Sequence, residues 1–238
     1  MKAFLLAGGL GTRLMPLTRA LPKCMVPIGG EPLLAIWLAH LAREGVRDVL
    51  VNVSQHVEQV EQFLESRRWD LTVHVEREHQ PRGNAGTVSA RRDFVAGEES
   101  FYVLYADNLT DVSLAPLAAL HRRHPAPITI GLFRAAVPKS AGIVQLTETG
   151  LVCAFQEKPE QPVGNLANAG IYLARQSIFD CIPSGPTVVD FGHDVLPQLV
   201  GCMHACVLDG FFMDVGTPET LMQATNGWQQ RSRQAATL

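Results

Sequence analysis

The stretch Leu6-Ala7-Gly8-Gly9-Leu10-Gly11-Thr12-Arg13 combines a bare, flexible backbone with a cation at its end. Glycines let successive N–H groups approach phosphate oxygens, so the stretch reads as an anion cradle. It is not a P-loop, which needs Gly-Lys-Ser/Thr, and it breaks the dinucleotide fingerprint at Leu14, where Gly or Ala is required. Lys23 follows on a segment stiffened by Pro16, Pro22 and Pro27, and two cations beside a phosphate cradle suit a triphosphate. Nucleotidyl transfer also needs a hard cation, held by one or two carboxylates together with phosphate oxygens and water. Asp107 directly follows the apolar run Phe101 to Tyr105, at the carboxyl edge where open α/β sheets bind ligands, and Asp214 directly follows Phe211-Phe212-Met213. Asp111 is left out of the metal set, because Asp111-Val112-Ser113 before Leu114 reads as a helix start.

These residues need a scaffold that ends strands side by side. Runs rich in β-formers recur at Lys2 to Leu6, Asp48 to Val53, Leu71 to Glu76, Phe101 to Tyr105 and Ile128 to Phe133, with helix-like stretches between most of them. That alternation predicts an α/β fold of βαβ units on a mainly parallel sheet flanked by helices. The clearest helix is expected over Pro32 to Glu44, with Leu34, Trp37, Leu38 and Leu41 on one face and Gly45 closing its end. Beyond Ala141 the runs Gly142 to Thr147 and Leu151 to Gln156 flank Glu148-Thr149-Gly150, which reads as a hairpin. The expected organisation is one domain over 1–238, with a nucleotide-binding half of about 1–140 and a substrate-binding half of about 141–238.

The totals narrow the function. A formal charge of -3 over 238 residues, with Lys and Arg scattered, gives no basic footprint for nucleic acid. Five cysteines, an odd number without a regular frame, fit reduced thiols and a cytoplasmic protein. The run Ala3 to Ala7 is too short for a signal segment, and no apolar stretch reaches the ~18 residues of a membrane span, so no membrane partner is expected. Asp190-Phe191-Gly192 copies a kinase triplet without the His-Arg-Asp that should precede it, and is read as opening a helix over Val195 to Val200. Cys202-Met203-His204-Ala205-Cys206 lacks a second ligand pair for zinc. His121 and His124, with Arg122 and Arg123 between them, are expected on a solvated helix face.

The run from Gly8 through Arg13, Leu14, Pro16, Leu17 and Thr18 to Pro22, Lys23 and Pro27 resembles the G-G-x-G-T-R-L-x-P-L-T-x-x-x-P-K-x-x-x-P signature of sugar-1-phosphate nucleotidyltransferases. The resemblance covers nearly the whole chain and implies a Rossmann-like mixed sheet with a β-hairpin in the sugar-binding half. It implies that Leu6, Ala7, Gly8, Gly9, Gly11 and Thr12 hold the nucleotide, and that Arg13 and Lys23 neutralise the triphosphate as pyrophosphate leaves. Asp214-Val215-Gly216-Thr217-Pro218 matches the family's D-V-G-T-P, which pairs Asp214 with Asp107 on Mg2+, Asp107 also touching the nucleotide. Glu157-Lys158-Pro159 is similar to E-K-P, implying that Lys158 meets the sugar phosphate and Glu157 its hydroxyls. Asn168-Ala169-Gly170-Ile171-Tyr172 is similar to N-A-G-I-Y, whose Asn reads a sugar hydroxyl, and Gly142 lets the sugar approach the backbone. Gln80-Pro81-Arg82-Gly83-Asn84-Ala85-Gly86 resembles the base loop, commonly L-G-T-A-G, and implies base contacts by Gln80, Gly83 and Gly86; it departs from that form at Arg82 and Asn84.

The reaction so implied is an in-line attack of a sugar 1-phosphate on the α-phosphorus of a nucleoside triphosphate, with no covalent intermediate. Without an acyltransferase repeat the chain is expected to be monofunctional, a guanylyltransferase giving a GDP-mannose or GDP-heptose type product, with a homo-oligomer left open. Uridylyl or thymidylyl transfer to another sugar, cytidylyl transfer to a phospho-alcohol, and a non-catalytic sugar-nucleotide sensor are the rivals.

Overall fold

The computed structural model describes residues 1–185 and 188–235. In chain order its elements are β1 (Lys2–Leu6), β2 (Pro27–Ile28), β3 (Glu31–Pro32), α1 (Leu33–Arg43), β4 (Asp48–Val53), α2 (Val57–Glu65), β5 (Thr72–Arg77), α3 (Asn84–Ala90) and β6 (Ser100–Tyr105). There follow β7 (Asn108–Thr110), α4 (Ala115–Arg123), β8 (Ile128–Arg134), β9 (Gly142–Leu146), β10 (Val152–Glu157), β11 (Leu166–Arg175), β12 (His204–Val207), β13 (Phe212–Asp214) and α5 (Pro218–Ala235). The fold is mixed α/β, a mainly parallel central sheet flanked by helices. The expected strands recur within a residue or so of their anticipated ends. Helix α1 buries Leu34, Trp37, Leu38 and Leu41, and it stops at Gly45, whose φ of 78° lets Val46 N–H reach Leu41 O at 3.0 Å. The helix expected over Val195 to Val200 is instead a π-type turn, Phe191–Val195, followed by a 3-10 turn, Leu196–Leu199. Pro197 has no N–H to give, which interrupts the hydrogen-bond ladder a regular α-helix would need across this segment.

Two compact units make up the chain. One comprises Met1–Phe4, Gln80–Leu104 and Ser113–Asp209. Its spine is β11, antiparallel to β6 on one side and to β8 on the other, with a register break between Asn168 and Tyr172. Strand β12 adds parallel to β8, and the β9–β10 hairpin turns at Gly150, whose φ is 80°. The other unit comprises Leu5–His79, Tyr105–Val112 and Gly210–Leu238. In it β4 and β5 run parallel, and the three-residue strands β7 and β13 pair antiparallel, Asp214 opposite Asn108. Trp37 of α1 donates its indole N–H to Asn108 O at 2.7 Å, anchoring that ribbon.

The segment Asp111-Val112-Ser113 does lead into α4, Ser113 Oγ accepting Ala115 N–H at 3.2 Å, but the Asp111 carboxylate serves elsewhere: it accepts the Phe211 N–H at 2.8 Å and pairs with Arg231 of α5, which pins β7 to the segment before β13. His121 and His124 do not share a solvated helix face: α4 turns His121 inward, and His124 lies just past the helix end, half-buried. His121 is 1% exposed, its Nδ1 lies 2.8 Å from Thr129 Oγ1, and the His124 ring stacks on His204 with centroids 3.6 Å apart.

Burial, and then the Arg175 guanidinium, push the His121 pKa down to about 4. The unfolded chain titrates near the ordinary value of about 6.5, so folding favours the neutral ring. That contribution is complete above pH 6.5 and is lost as pH falls toward 4, up to about 3 kcal/mol. Urea unfolding followed across this window should show H121Q losing less stability on acidification than the parent, whereas parallel curves would remove His121 as the cause. His40 and His204 shift in the same direction, so the variant removes only one share of the acid sensitivity.

Candidate functional site

Strand β1 delivers the chain into the glycine loop, and buried side chains of neighbouring strands hold it. Ala7 N–H donates to Asn52 Oδ1 at 2.8 Å, Asn52 Nδ2 donates to Glu78 Oε2 at 2.9 Å, and Ser54 Oγ donates to Gly8 O at 2.8 Å. A Cβ on Gly8 would stand 2.5 Å from Asn52 Nδ2, so only glycine fits under this brace. Gly11 is left-handed at φ 62°, and its carbonyl accepts the Thr18 hydroxyl at 2.7 Å, which folds the loop back on itself. Asn52 and Glu78 escaped the sequence reading. A signal existed: Asn is depleted in strands, yet it interrupts Val49-Leu50-Val51 in a buried run.

Lys23 lies in the same unit, 9% exposed, on a 3-10 turn that starts after Pro22. Its Nζ sits 2.8 Å from Asp107 Oδ2 and 3.8 Å from Asp214 Oδ1. The two aspartates are neighbours because β7 and β13 pair and Val215 N–H donates to Asp107 O at 2.9 Å. Gly216 completes the group: a Cβ there would lie 2.7 Å from Asp214 Oδ2 and 3.3 Å from an Arg13 guanidinium nitrogen. Arg13, Lys23, Asp107 and Asp214 thus converge within one unit, beside Gly11, whose Cβ position is 3.4 Å from the Lys23 side chain. The two carboxylates balance the Lys23 and Arg13 cations, and they are hard oxygen donors of the kind a divalent cation takes together with polyphosphate oxygens. Burial, partly offset by a backbone hydrogen bond, pushes the Cys24 thiol up to about 12, so it offers no thiolate nucleophile beside the loop.

The other unit gathers the remaining sequence-predicted residues. Glu157 Oε2 lies 2.6 Å from where a Gly142 Cβ would be and 2.7 Å from that of Gly192, so two bare backbones flank its carboxylate. Lys158 takes a left-handed φ of 45°, its Nζ 3.6 Å from Glu157 Oε1, and lines an open cavity of about 530 Å³ with Lys139, Glu160 and Gln161. Asn168 sits at the β11 register break, donating to the Tyr172 hydroxyl at 2.7 Å and accepting Gly170 N–H at 3.0 Å. Gly83 opens α3 at φ 76°, with no room for a Cβ against Val189 O, and the N–H groups of Ala85 and Gly86 both donate to that carbonyl at 3.1 Å. Asn84, the departure noted in the sequence, donates to Asp190 Oδ2 at 2.5 Å and accepts Phe191 N–H at 2.6 Å. Gln80 is exposed at the start of this loop.

Among the described residues, no group of three or more His, Cys, Asp or Glu side chains converges as a metal cluster, and no helix is long and apolar enough to cross a membrane.

The sequence model of the family described as nucleotidyl transferase matches residues 2–231. Mannose-1-phosphate guanyltransferase of Schizosaccharomyces pombe is 34% identical over 94% of this chain and 63% of its own length. Probable mannose-1-phosphate guanylyltransferase 2 of Oryza sativa subsp. japonica is 36% identical over 92% of this chain and 62% of its own length. The chain therefore spans a little over three fifths of the curated relatives it matches. The crystal structure of HddC from Yersinia pseudotuberculosis superposes with a TM-score of 0.79 at 24% identity, covering 95% of this chain and 99% of that one, and supports the fold alone.

Proposed function

The chain belongs to the nucleotidyl transferase family, and from that premise we propose that it joins a sugar 1-phosphate to a nucleoside triphosphate, releasing pyrophosphate. The observation that carries this reading is the Lys23 ammonium held between Asp107 and Asp214, with Arg13 and Asp214 both against Gly216. Such a cluster supplies cations to a leaving pyrophosphate, and its carboxylates are engaged by the Lys23 ammonium, which fits direct displacement by the substrate's phosphate oxygen. The glycine loop, Leu6 to Thr12, presents backbone to the triphosphate, fixed by Asn52 and Thr18. Asp107 and Asp214 are hard oxygen donors that fit magnesium, which when bound would neutralise phosphate charge. Lys158 meets the sugar phosphate, Glu157 and Asn168 accept or donate to sugar hydroxyls, and Gly142 keeps the sugar close to backbone. Gln80, Gly83 and Gly86 contact the base.

The whole chain serves as one nucleotidyltransferase domain acting in the cytoplasm, with GTP and a mannose- or heptose-type 1-phosphate as substrates. The names of the most similar curated relatives support guanine and mannose. Pyrophosphate release should be measured across GTP, UTP, dTTP, CTP and ATP against mannose, heptose and glucose 1-phosphates, with magnesium and after chelation. Turnover is expected with GTP and one of the first two sugars, abolished by chelation. Turnover with a pyrimidine nucleotide would replace the base assignment, and silence throughout would favour a ligand-sensing protein.

A further inference from the structure

Besides its ion pair with Lys158, the Glu157 carboxylate is placed by what lies on either side. Gly142 on β9 bounds it on one side and Gly192 on the other, each close enough that a methyl group would collide with Oε2. Gly142 belongs to a regular hairpin. Gly192 belongs to an irregular π-type turn, which needs something else to fix it.

That support comes from Asp190. Its Oδ1 accepts Gly192 N–H at 2.7 Å and His193 N–H at 3.1 Å, and its own N–H donates to Asp194 Oδ2 at 2.7 Å. The Asp190 carboxylate is aimed in turn by Asn84, which spends both ends of its amide on this segment: Nδ2 on Asp190 Oδ2, Oδ1 on Phe191 N–H. The Phe191 ring packs on Tyr172 with centroids 5.4 Å apart, and the Tyr172 hydroxyl takes the Asn168 amide. A residue of the base loop is therefore connected by hydrogen bonds and packing to both side chains assigned to the sugar.

We propose that Asn84 and Asp190 form a positioning pair that holds Glu157, through Gly192, and Asn168, through Phe191 and Tyr172, in place for the sugar of the sugar 1-phosphate. This rests on the functional reading above. Neither residue touches the sugar. Each acts through the backbone it fixes, and small misplacements of a binding group are costly in such sites.

The test uses three variants of the full chain. N84A and D190N each break the pair, the second because two amide NH2 groups then compete for too few acceptors. The reciprocal N84D/D190N restores it: the carboxylate moves to position 84, where it accepts both Phe191 N–H and the new amide, and the amide oxygen at 190 still accepts Gly192 N–H. The KM for the sugar 1-phosphate should rise about tenfold in each single variant and return to within about threefold of the parent in the swap, an effect in the range of measured couplings between sites. Amide exchange at Gly192 and His193 in the ligand-free protein should quicken in N84A and D190N and recover in the swap.

A base-loop residue with a purely local role would move the KM for the nucleotide alone; that outcome, or a swap no better than the single variants, overturns the proposal. Silence of the parent with every sugar 1-phosphate would instead bring down the functional reading. Amide exchange would then decide on the pair by itself, unchanged rates in N84A refuting it.

Discussion

Replacing Lys23 with methionine is expected to lower kcat/KM for pyrophosphate release by at least ~10²-fold, about 3 kcal/mol of transition-state stabilisation, while the protein remains folded. Methionine fills nearly the same volume at a site 9% exposed, so packing is retained and the charge alone is removed. The Asp107 and Asp214 carboxylates that lose their partner are 39% and 52% exposed, and water can solvate them. The loss should therefore fall on catalysis, with an unfolding midpoint close to the parent's. Lys23→Arg should not restore activity, because a planar guanidinium cannot replace a compact ammonium between two carboxylates. A loss smaller than fivefold in K23M would reduce Lys23 to a counter-ion for the two aspartates and remove it from the chemistry.

That cluster shows where sequence reasoning carried and where it stopped. Each aspartate was legible singly, as a carboxylate at the end of an apolar run, and so was the glycine loop, whose spacing leaves few structural uses. Their meeting was not legible. It depends on β7 and β13, three residues each and about a hundred positions apart, strands too short to announce themselves by alternation or propensity. The α/β alternation and α1 were visible because burial imposes a period on many residues at once. Asp190 was visible as the start of a structural segment that also copies a kinase triplet, and Asn84 as a departure from a familiar base loop; their partnership is a contact between residues 106 positions apart. His121 was misread because flanking arginines suggested a wet face, whereas α4 places the adjacent arginines outward and the histidine against Thr129. Local periodicity is a property of short windows, and the Asn52 brace, the Asn84–Asp190 contact and the acidic pair all belong to long-range contacts.

The same acidic pair yields the second large effect. Asp214→Asn keeps the shape of the side chain and its place opposite Asn108, but removes one of the two charged oxygen donors offered to a divalent cation. The expected result is a fall in kcat of about 10²- to 10³-fold, of the size associated with losing metal-borne charge stabilisation. It should be accompanied by Mn2+ binding at least about tenfold weaker, measured by paramagnetic resonance in the presence of nucleotide. Asp111→Asn supplies the contrast, since Asp111 lies four residues from Asp107 and is likewise an aspartate, yet spends its carboxylate on Arg231 and the Phe211 N–H. It should cost roughly 1 kcal/mol of stability and leave kcat within a few-fold of the parent. If both variants weakened Mn2+ equally, acidity in this region rather than the Asp107–Asp214 pairing would attract the cation. If D214N lost turnover but bound Mn2+ as tightly as the parent, Asp214 would act by orienting Lys23, and the carboxylate would be a partner of the ammonium instead of the metal.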